Sequence, residues 1–260
     1  MRCFEMNIAI VTGASSGIGR ELVKQISHAY EKLDEIWVIS RNEEKLKQLQ
    51  IGLKHTLRMI PIDLCDDMQR ILIKELLEKH QPIIKMLVNA AGVGYWGDFS
   101  AHSSEDESMT IKLNCQVLME MTHMCIPYMT AGSRIIQTAS AAAFLPQPQF
   151  TVYAASKAFV LSFSRALNVE LKDQGIYITT VCPGPVETPF LLNLQKYTKT
   201  PAFKSRYHAG TTEVVKKAMR DSSDRNEMSI YGFRMNMLYL ISKLLPVRLL
   251  MSITQKLNSN

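Results

Sequence analysis

No stretch of this sequence reaches the ~20 uninterrupted apolar residues that a membrane-spanning helix needs. The C-terminal apolar region is broken by Ser242, Lys243 and Arg248, so no transmembrane span is expected. From Met1 the chain runs straight into the short apolar stretch Met6 to Val11, with neither the hydrophobic region nor the cleavage site of a signal peptide. The default location is therefore cytoplasmic. Cysteine is scarce: Cys3, Cys65, Cys115, Cys125 and Cys182 are odd in number and no two form a C-x-x-C pair. That excludes a disulfide framework or a zinc site, and the five read as small buried apolar residues. His28, His55, His80, His102, His123 and His208 lack ligand spacing, so no metal is expected. Low-complexity tracts are also lacking, which excludes disordered and fibrous classes.

What remains is an ordinary globular composition, 47% hydrophobic over 260 residues, enough for one large α/β domain covering 1–260. The net charge of +6 is unevenly placed. Residues 190–260 carry 12 Lys/Arg against 4 Asp/Glu, whereas residues 1–189 carry 18 against 20. Such a basic quarter either steers an anionic substrate or acidic surface, or is a solvated face without a partner. No nucleic-acid partner is expected.

Short β-branched runs at Asn7 to Val11, Glu35 to Ser40, Leu57 to Ile60, Lys85 to Val88, Arg134 to Thr138 and Ile176 to Cys182 read as buried strands. Between them lie helical patterns at Ile18 to Tyr30, Glu43 to Gly52, Asp67 to His80, Glu107 to Met129 and Val152 to Gln174. This alternation predicts a doubly wound, Rossmann-type parallel sheet with helices on both faces and ligands at the carboxyl ends of the strands. After Pro189 the alternation lapses. Residues 190–211 read as a substrate lid or a plain connection. Helical patterns follow at Thr212 to Arg220 and Phe233 to Leu245, with 228–260 a C-terminal helical extension. The apolar and basic residues of Phe233 to Leu257 suit packing over the cleft, a subunit contact or a membrane surface.

Strand one feeds Thr12-Gly13-Ala14-Ser15-Ser16-Gly17-Ile18-Gly19, where side-chain-free positions let main-chain N–H groups and a helix N-terminus approach a pyrophosphate. The end of strand two reads Ser40-Arg41, with no carboxylate to repel a 2′-phosphate and a guanidinium to pair with it, which favours NADP(H) over NAD. Farther along, Tyr153 and Lys157 lie four apart on one helical face, a spacing that brings a cation to a phenol and favours phenolate. Alone, such a pair is commonplace on amphipathic helices.

Together these residues resemble the short-chain dehydrogenase/reductase family, whose signature includes Thr12 to Gly19, Tyr153 and Lys157; the resemblance covers nearly the whole chain. It implies that Tyr153 protonates a carbonyl oxygen as hydride reaches carbon, with oxidation the reverse. Ser140 matches the catalytic serine that stabilises that oxygen, and Asn114 the asparagine that anchors a water in a proton relay. Lys157 supports Tyr153 and holds ribose hydroxyls. For the coenzyme the resemblance implies Gly13, Ser15, Ser16, Gly17, Ile18, Gly19, Ser40, Arg41, Asp63, Leu64, Asn89, Ala90, Ala91 and Gly92, with Pro183, Gly184, Val186 and Thr188 at the nicotinamide. Ala90 departs from the family, which often has a second Asn there. The implied activity is NADP(H)-linked interconversion of an alcohol and a carbonyl, on an apolar ketone such as a steroid or fatty-acyl compound, by a homodimer or homotetramer. The other readings are a non-catalytic NADP(H)-binding sensor or scaffold and a peripheral membrane reductase.

Overall fold

The computed structural model describes residues 6–194, 196–197 and 208–251. Along β1 (Asn7–Thr12), Ile8 and Ile10 point to one side of the sheet and Ala9 and Val11 to the other, all fully buried. A strand apolar on both sides belongs in the middle of a parallel sheet covered by helices. That is its position: β1 pairs in parallel with β2 (Glu35–Ile39) and β4 (Ile83–Asn89). Outward from these lie β3 (Thr56–Ile60) on one side and β5 (Arg134–Thr138), β6 (Tyr177–Val181) and β7 (Met228–Ser229) on the other. The order is β3-β2-β1-β4-β5-β6-β7.

One face is covered by α1 (Gly17–Ala29), α2 (Glu43–Gln50) and α8 (Thr211–Ser223), through Leu22, Ile26, Leu46 and Val215. The other is covered by α3 (Asp67–His80), α5 (Leu118–Cys125) and α6 (Thr151–Glu170), through Ile73, Leu77, Met121 and Leu167. All of these but the partly buried Leu167 are fully buried, which stabilises the fold by roughly 1.5–3 kcal/mol per side chain. This is the doubly wound α/β architecture, and its switch point lies between β1 and β4, where Thr12 and Asn89 stand opposite each other.

Two elements differ from the sequence expectation. The helix expected over Glu107 to Met129 starts earlier and is interrupted: α4 (Ser104–Ile111), a π-helical turn (Lys112–Val117) and then α5. A π turn accommodates an extra residue without ending the helix, so hydrophobic periodicity does not reveal it. The second is β7, whose two residues are too few to produce a period; it is held by Cys182 N–H donating to Ser229 O at 2.8 Å. Beyond them, α9 (Phe233–Leu244) seats Tyr239 on Phe144 with ring centroids 5.1 Å apart. Cys3, the lid expectation over 198–207 and the end of the C-terminal extension fall outside the described residues. Among the described residues no helix is long and apolar enough to cross a membrane, and no three His, Cys, Asp or Glu side chains cluster as metal ligands would.

Candidate active site

The sheet opens where β1 and β4 end, and Thr12 ties the two loops together. Its hydroxyl oxygen accepts from the backbone N–H of Ala90 at 3.1 Å and of Ala91 at 3.2 Å. The Asn89 to Gly92 loop is thereby drawn against the glycine turn so closely that a Cβ on Gly13 would lie 2.7 Å from Ala91 N. Gly13 also has φ +66°, a conformation side chains disfavour. Gly19 serves the turn itself, since a Cβ there would overlap the Gly13 carbonyl oxygen.

Asn42, Asp66 and Ser103 cap α2, α3 and α4 with side-chain oxygens, whereas Ser16 at the start of α1 accepts no such bond and the first turn holds no acidic residue. The opening N–H groups of α1 are thus available to an anion, and the residues present fit a pyrophosphate there. Ser40 donates its hydroxyl to Ser15 at 2.7 Å, joining the tip of β2 to the glycine turn. Arg41 is exposed and only loosely opposed by Asp63, 3.9 Å away. Leu64 is positioned by the buried Arg70, whose Nη1 donates to the Leu64 carbonyl at 2.5 Å. Thr188, from the loop after β6, rests its methyl over Gly17, so the Pro183 to Thr188 segment closes the far side of the same crevice.

The chemical residues meet at the ends of β4, β5 and β6. Tyr153 is 8% exposed, and burial pushes its phenol up to about 12; a hydrogen bond from Ser140 pulls it partway back. Ser140 is oriented in turn by the Ala142 N–H, which donates to its oxygen at 3.1 Å. Lys157, 3% exposed, donates to the Thr138 carbonyl at 2.9 Å, and its Nζ lies 5.6 Å from the centre of the Tyr153 ring. Burial brings this ammonium down to about 8. The helical spacing implied that the cation lowers the phenol. In the folded chain burial raises Tyr153, the lowering contribution comes from Ser140 rather than from Lys157, and burial weakens the cation itself.

Asn114 is fully buried in the π turn. Its amide accepts from Val93 N at 3.0 Å and donates to Val93 O at 2.9 Å and to Ser156 Oγ at 3.0 Å. Both amide hydrogens are therefore in use, while one lone pair on Oδ1 remains to accept a water. Asn89 donates to Thr122 Oγ1 at 3.0 Å, and its own carbonyl oxygen has no partner among the described residues.

A sequence profile described as short chain dehydrogenase matches residues 7–198. The chain is 30% identical over 215 residues to very-long-chain 3-oxoacyl-CoA reductase-A of Danio rerio, covering 80% of this chain and 66% of that one. It is 33% identical over 203 residues to 17-beta-hydroxysteroid dehydrogenase type 3 of Mus musculus, covering 74% and 64%. The chain belongs to the short-chain dehydrogenase family. It spans just under two thirds of the length of those two relatives. The fold matches a short-chain dehydrogenase/reductase from Burkholderia phymatum in complex with NAD, with a TM-score of 0.79, 21% identity and coverage of 96% of this chain and 97% of that one.

For this short-chain dehydrogenase, the sequence motifs leave the surroundings of Tyr153 undescribed. Its ring stacks on Phe150 at 4.2 Å and lies 5.4 Å from Phe190 of α7 (Phe190–Leu194). Trp96 completes the wall, 5.4 Å from Phe150, with its backbone N–H donating to the Leu194 carbonyl at 3.0 Å. Gly94 lies flat on the Tyr153 ring, and a Cβ there would overlap it. These residues come from three separate segments, and the only hint in the sequence is the small and aromatic run Gly92 to Trp96. Beyond α7, Lys196 pairs with Asp106 while the Tyr197 hydroxyl accepts from the Ser103 N–H at 3.0 Å. At the other end of the segment Ala209 returns beside Val186, its N–H donating to the Pro185 carbonyl at 2.9 Å.

Proposed function

We propose that this chain is an NADP(H)-dependent carbonyl reductase or alcohol dehydrogenase, cytoplasmic, acting on an apolar ketone of the fatty-acyl or steroid kind. The observation that carries this reading is a buried phenol, bonded to Ser140 and walled by Trp96, Phe150 and Phe190, next to a crevice shaped for a dinucleotide. The names of the zebrafish and mouse relatives point to the same two substrate classes.

Bound nicotinamide supplies or accepts the hydride. Tyr153, protonated throughout the neutral range, donates its proton to the carbonyl oxygen. Ser140 donates a hydrogen bond to that oxygen as negative charge develops on it. The phenolate that remains is stabilised by the Lys157 ammonium, which also holds ribose hydroxyls, and Asn114 holds a water of the proton relay. Around the coenzyme, Gly13 and Ser15 to Gly19 receive the pyrophosphate, Asp63 and Leu64 flank the adenine, and Asn89 to Gly92 line the crevice. Pro183 and Gly184 lie at the nicotinamide, and Val186 and Thr188 orient the carboxamide. Arg41 and Ser40 take the 2′-phosphate. We read 190–211 as a lid, of whose described residues Lys196 pairs with Asp106 and Ala209 lies beside Val186, and the excess cations of 190–260 favour substrates bearing carboxylate or phosphate. Exposed Met119, Phe159 and Val169 on the long helices support a homodimer or homotetramer.

A screen of 3-oxoacyl thioesters, steroid ketones and small neutral ketones, followed by NADPH absorbance, tests this reading. We expect turnover of the large apolar ketones, and exclusive turnover of small neutral ones, or of none, overturns it. Run with both coenzymes, the screen also tests Arg41: Arg41→Ala is expected to lower kcat/KM for NADPH by roughly 10- to 100-fold and leave NADH nearly unchanged, as loss of a charge-assisted pair implies. A wild type that prefers NADH would remove the 2′-phosphate assignment.

The pH dependence follows from the same site. Lys157 carries its charge below about 8 and loses it above, while Tyr153 keeps its proton until about 12. Reductive kcat/KM is therefore expected to be level on the acid side of 8 and to fall as pH rises through it. A profile still level well into alkaline pH would show that the Lys157 charge plays no part.

A further inference from the structure

Helix α9 is apolar on both sides. Its inner side is accounted for by Met235 against Gly184 and Tyr239 against Phe144. Its outer side is not: Phe233 and Leu244 are each 80% exposed, and Met237, Leu240 and Ile241 between them are exposed as well. At about 3.6 residues per turn these five positions fall on a single stripe, with Arg234 along one border and Lys243 along the other. Past the helix, Pro246 turns the chain, and Val247 and Leu249 extend the exposed apolar surface. Contiguous surface of this kind marks a place where something docks.

We propose that the outer stripe of α9, with the residues that follow it, docks on an anionic lipid surface. Charge decides the occupant. From Met228 to Asn260 the chain has no Asp or Glu, while Arg234, Lys243, Arg248 and Lys256 are all cationic. A second copy meeting this face about a two-fold axis would set these cations against their own counterparts. Anionic headgroups pair with the same borders while the stripe enters the acyl boundary. The 12 residues of α9 are far too short to cross a bilayer and suit a helix lying in its plane. The exposed apolar residues Phe159 and Val169 of α6 offer a separate face for self-association. Because Met235 of α9 sits on Gly184, docking would bring the crevice to the lipid interface.

The test is flotation of the full chain with phosphatidylcholine vesicles, with and without phosphatidylglycerol, alongside sedimentation velocity without lipid. Its readout is binding, so it stands or falls separately from the reductase reading. We expect co-flotation with the phosphatidylglycerol vesicles, weakened by high salt and weakened about tenfold or more in the Phe233→Ser/Leu244→Ser double variant. Both side chains are exposed, so the variant is expected to retain the wild-type circular dichroism spectrum and sedimentation coefficient. Wild-type chain that stays with the protein fraction overturns the proposal. Equal flotation with both vesicle types overturns its anionic part. A drop in sedimentation coefficient in the double variant, without flotation of the wild type, assigns the stripe to a second copy and overturns the proposal too.

Discussion

Tyr153→Phe is expected to reduce kcat by roughly 10²- to 10⁴-fold, the usual contribution of a positioned general acid, while the Kd for NADPH stays close to that of the wild type. The substitution removes one oxygen and keeps the ring. The stack on Phe150, the contact with Phe190 and the seat against Gly94 all involve carbon atoms and survive. What disappears is the phenolic proton that adjoins Ser140, with Lys157 left to hold a charge that no longer has a partner reaction. Single-turnover absorbance and fluorescence titration of NADPH measure the two quantities separately. Equal turnover in both proteins would place the proton donor elsewhere, or show that the chain works by binding alone.

Gly13→Ala is expected to be as severe by a different route. The new methyl must fit 2.7 Å from Ala91 N and 2.8 Å from the Ala90 carbonyl, both backbone atoms that cannot rotate aside, at a φ of +66°. Overpacking and left-handed strain together cost on the order of 2–5 kcal/mol. Relief comes only by parting the β1 and β4 loops, which breaks the two bonds that Thr12 accepts and dismantles the crevice. The expected result is a lower denaturation midpoint together with at least a hundredfold loss of NADPH affinity, on the order of 3 kcal/mol. Gly52→Ala is the matched control. Its φ is +82°, yet a Cβ there meets nothing within 4 Å, so it should carry only the strain and bind NADPH normally. Wild-type NADPH affinity in Gly13→Ala would mean that the turn does not hold the coenzyme.

The fold was legible because buried parallel strands announce themselves as short apolar runs. Asn7 to Val11 and Arg134 to Thr138 came out within a residue of their true ends. The glycine turn was legible for a related reason, since the glycines of a strand-to-helix turn lie close together in sequence. Asn114 could be named by resemblance, but its surroundings could not. A π turn preserves the apolar pattern on either side of it, and nothing local shows that its amide grips Val93 from across the site. The aromatic wall stayed hidden because Trp96, Phe150 and Phe190 lie on segments far apart in the chain, and each alone looks like core.

By itself, then, the sequence determined the doubly wound sheet and the glycine turn, because periodicity and backbone freedom are properties of neighbours along the chain, while Ser140, Tyr153 and Lys157 were singled out as chemical groups through resemblance to the family. Only the tertiary structure decided how those groups ionise, what surrounds them and which side of α9 is left uncovered. Desolvation depends on every element packed around a group: it moved Tyr153 up to about 12 and Lys157 down to about 8, where helical spacing alone had suggested a cation lowering a phenol. The outer stripe of α9 is apolar in the sequence either way, and it became a surface only once Met235 and Tyr239 were seen to take the inner side.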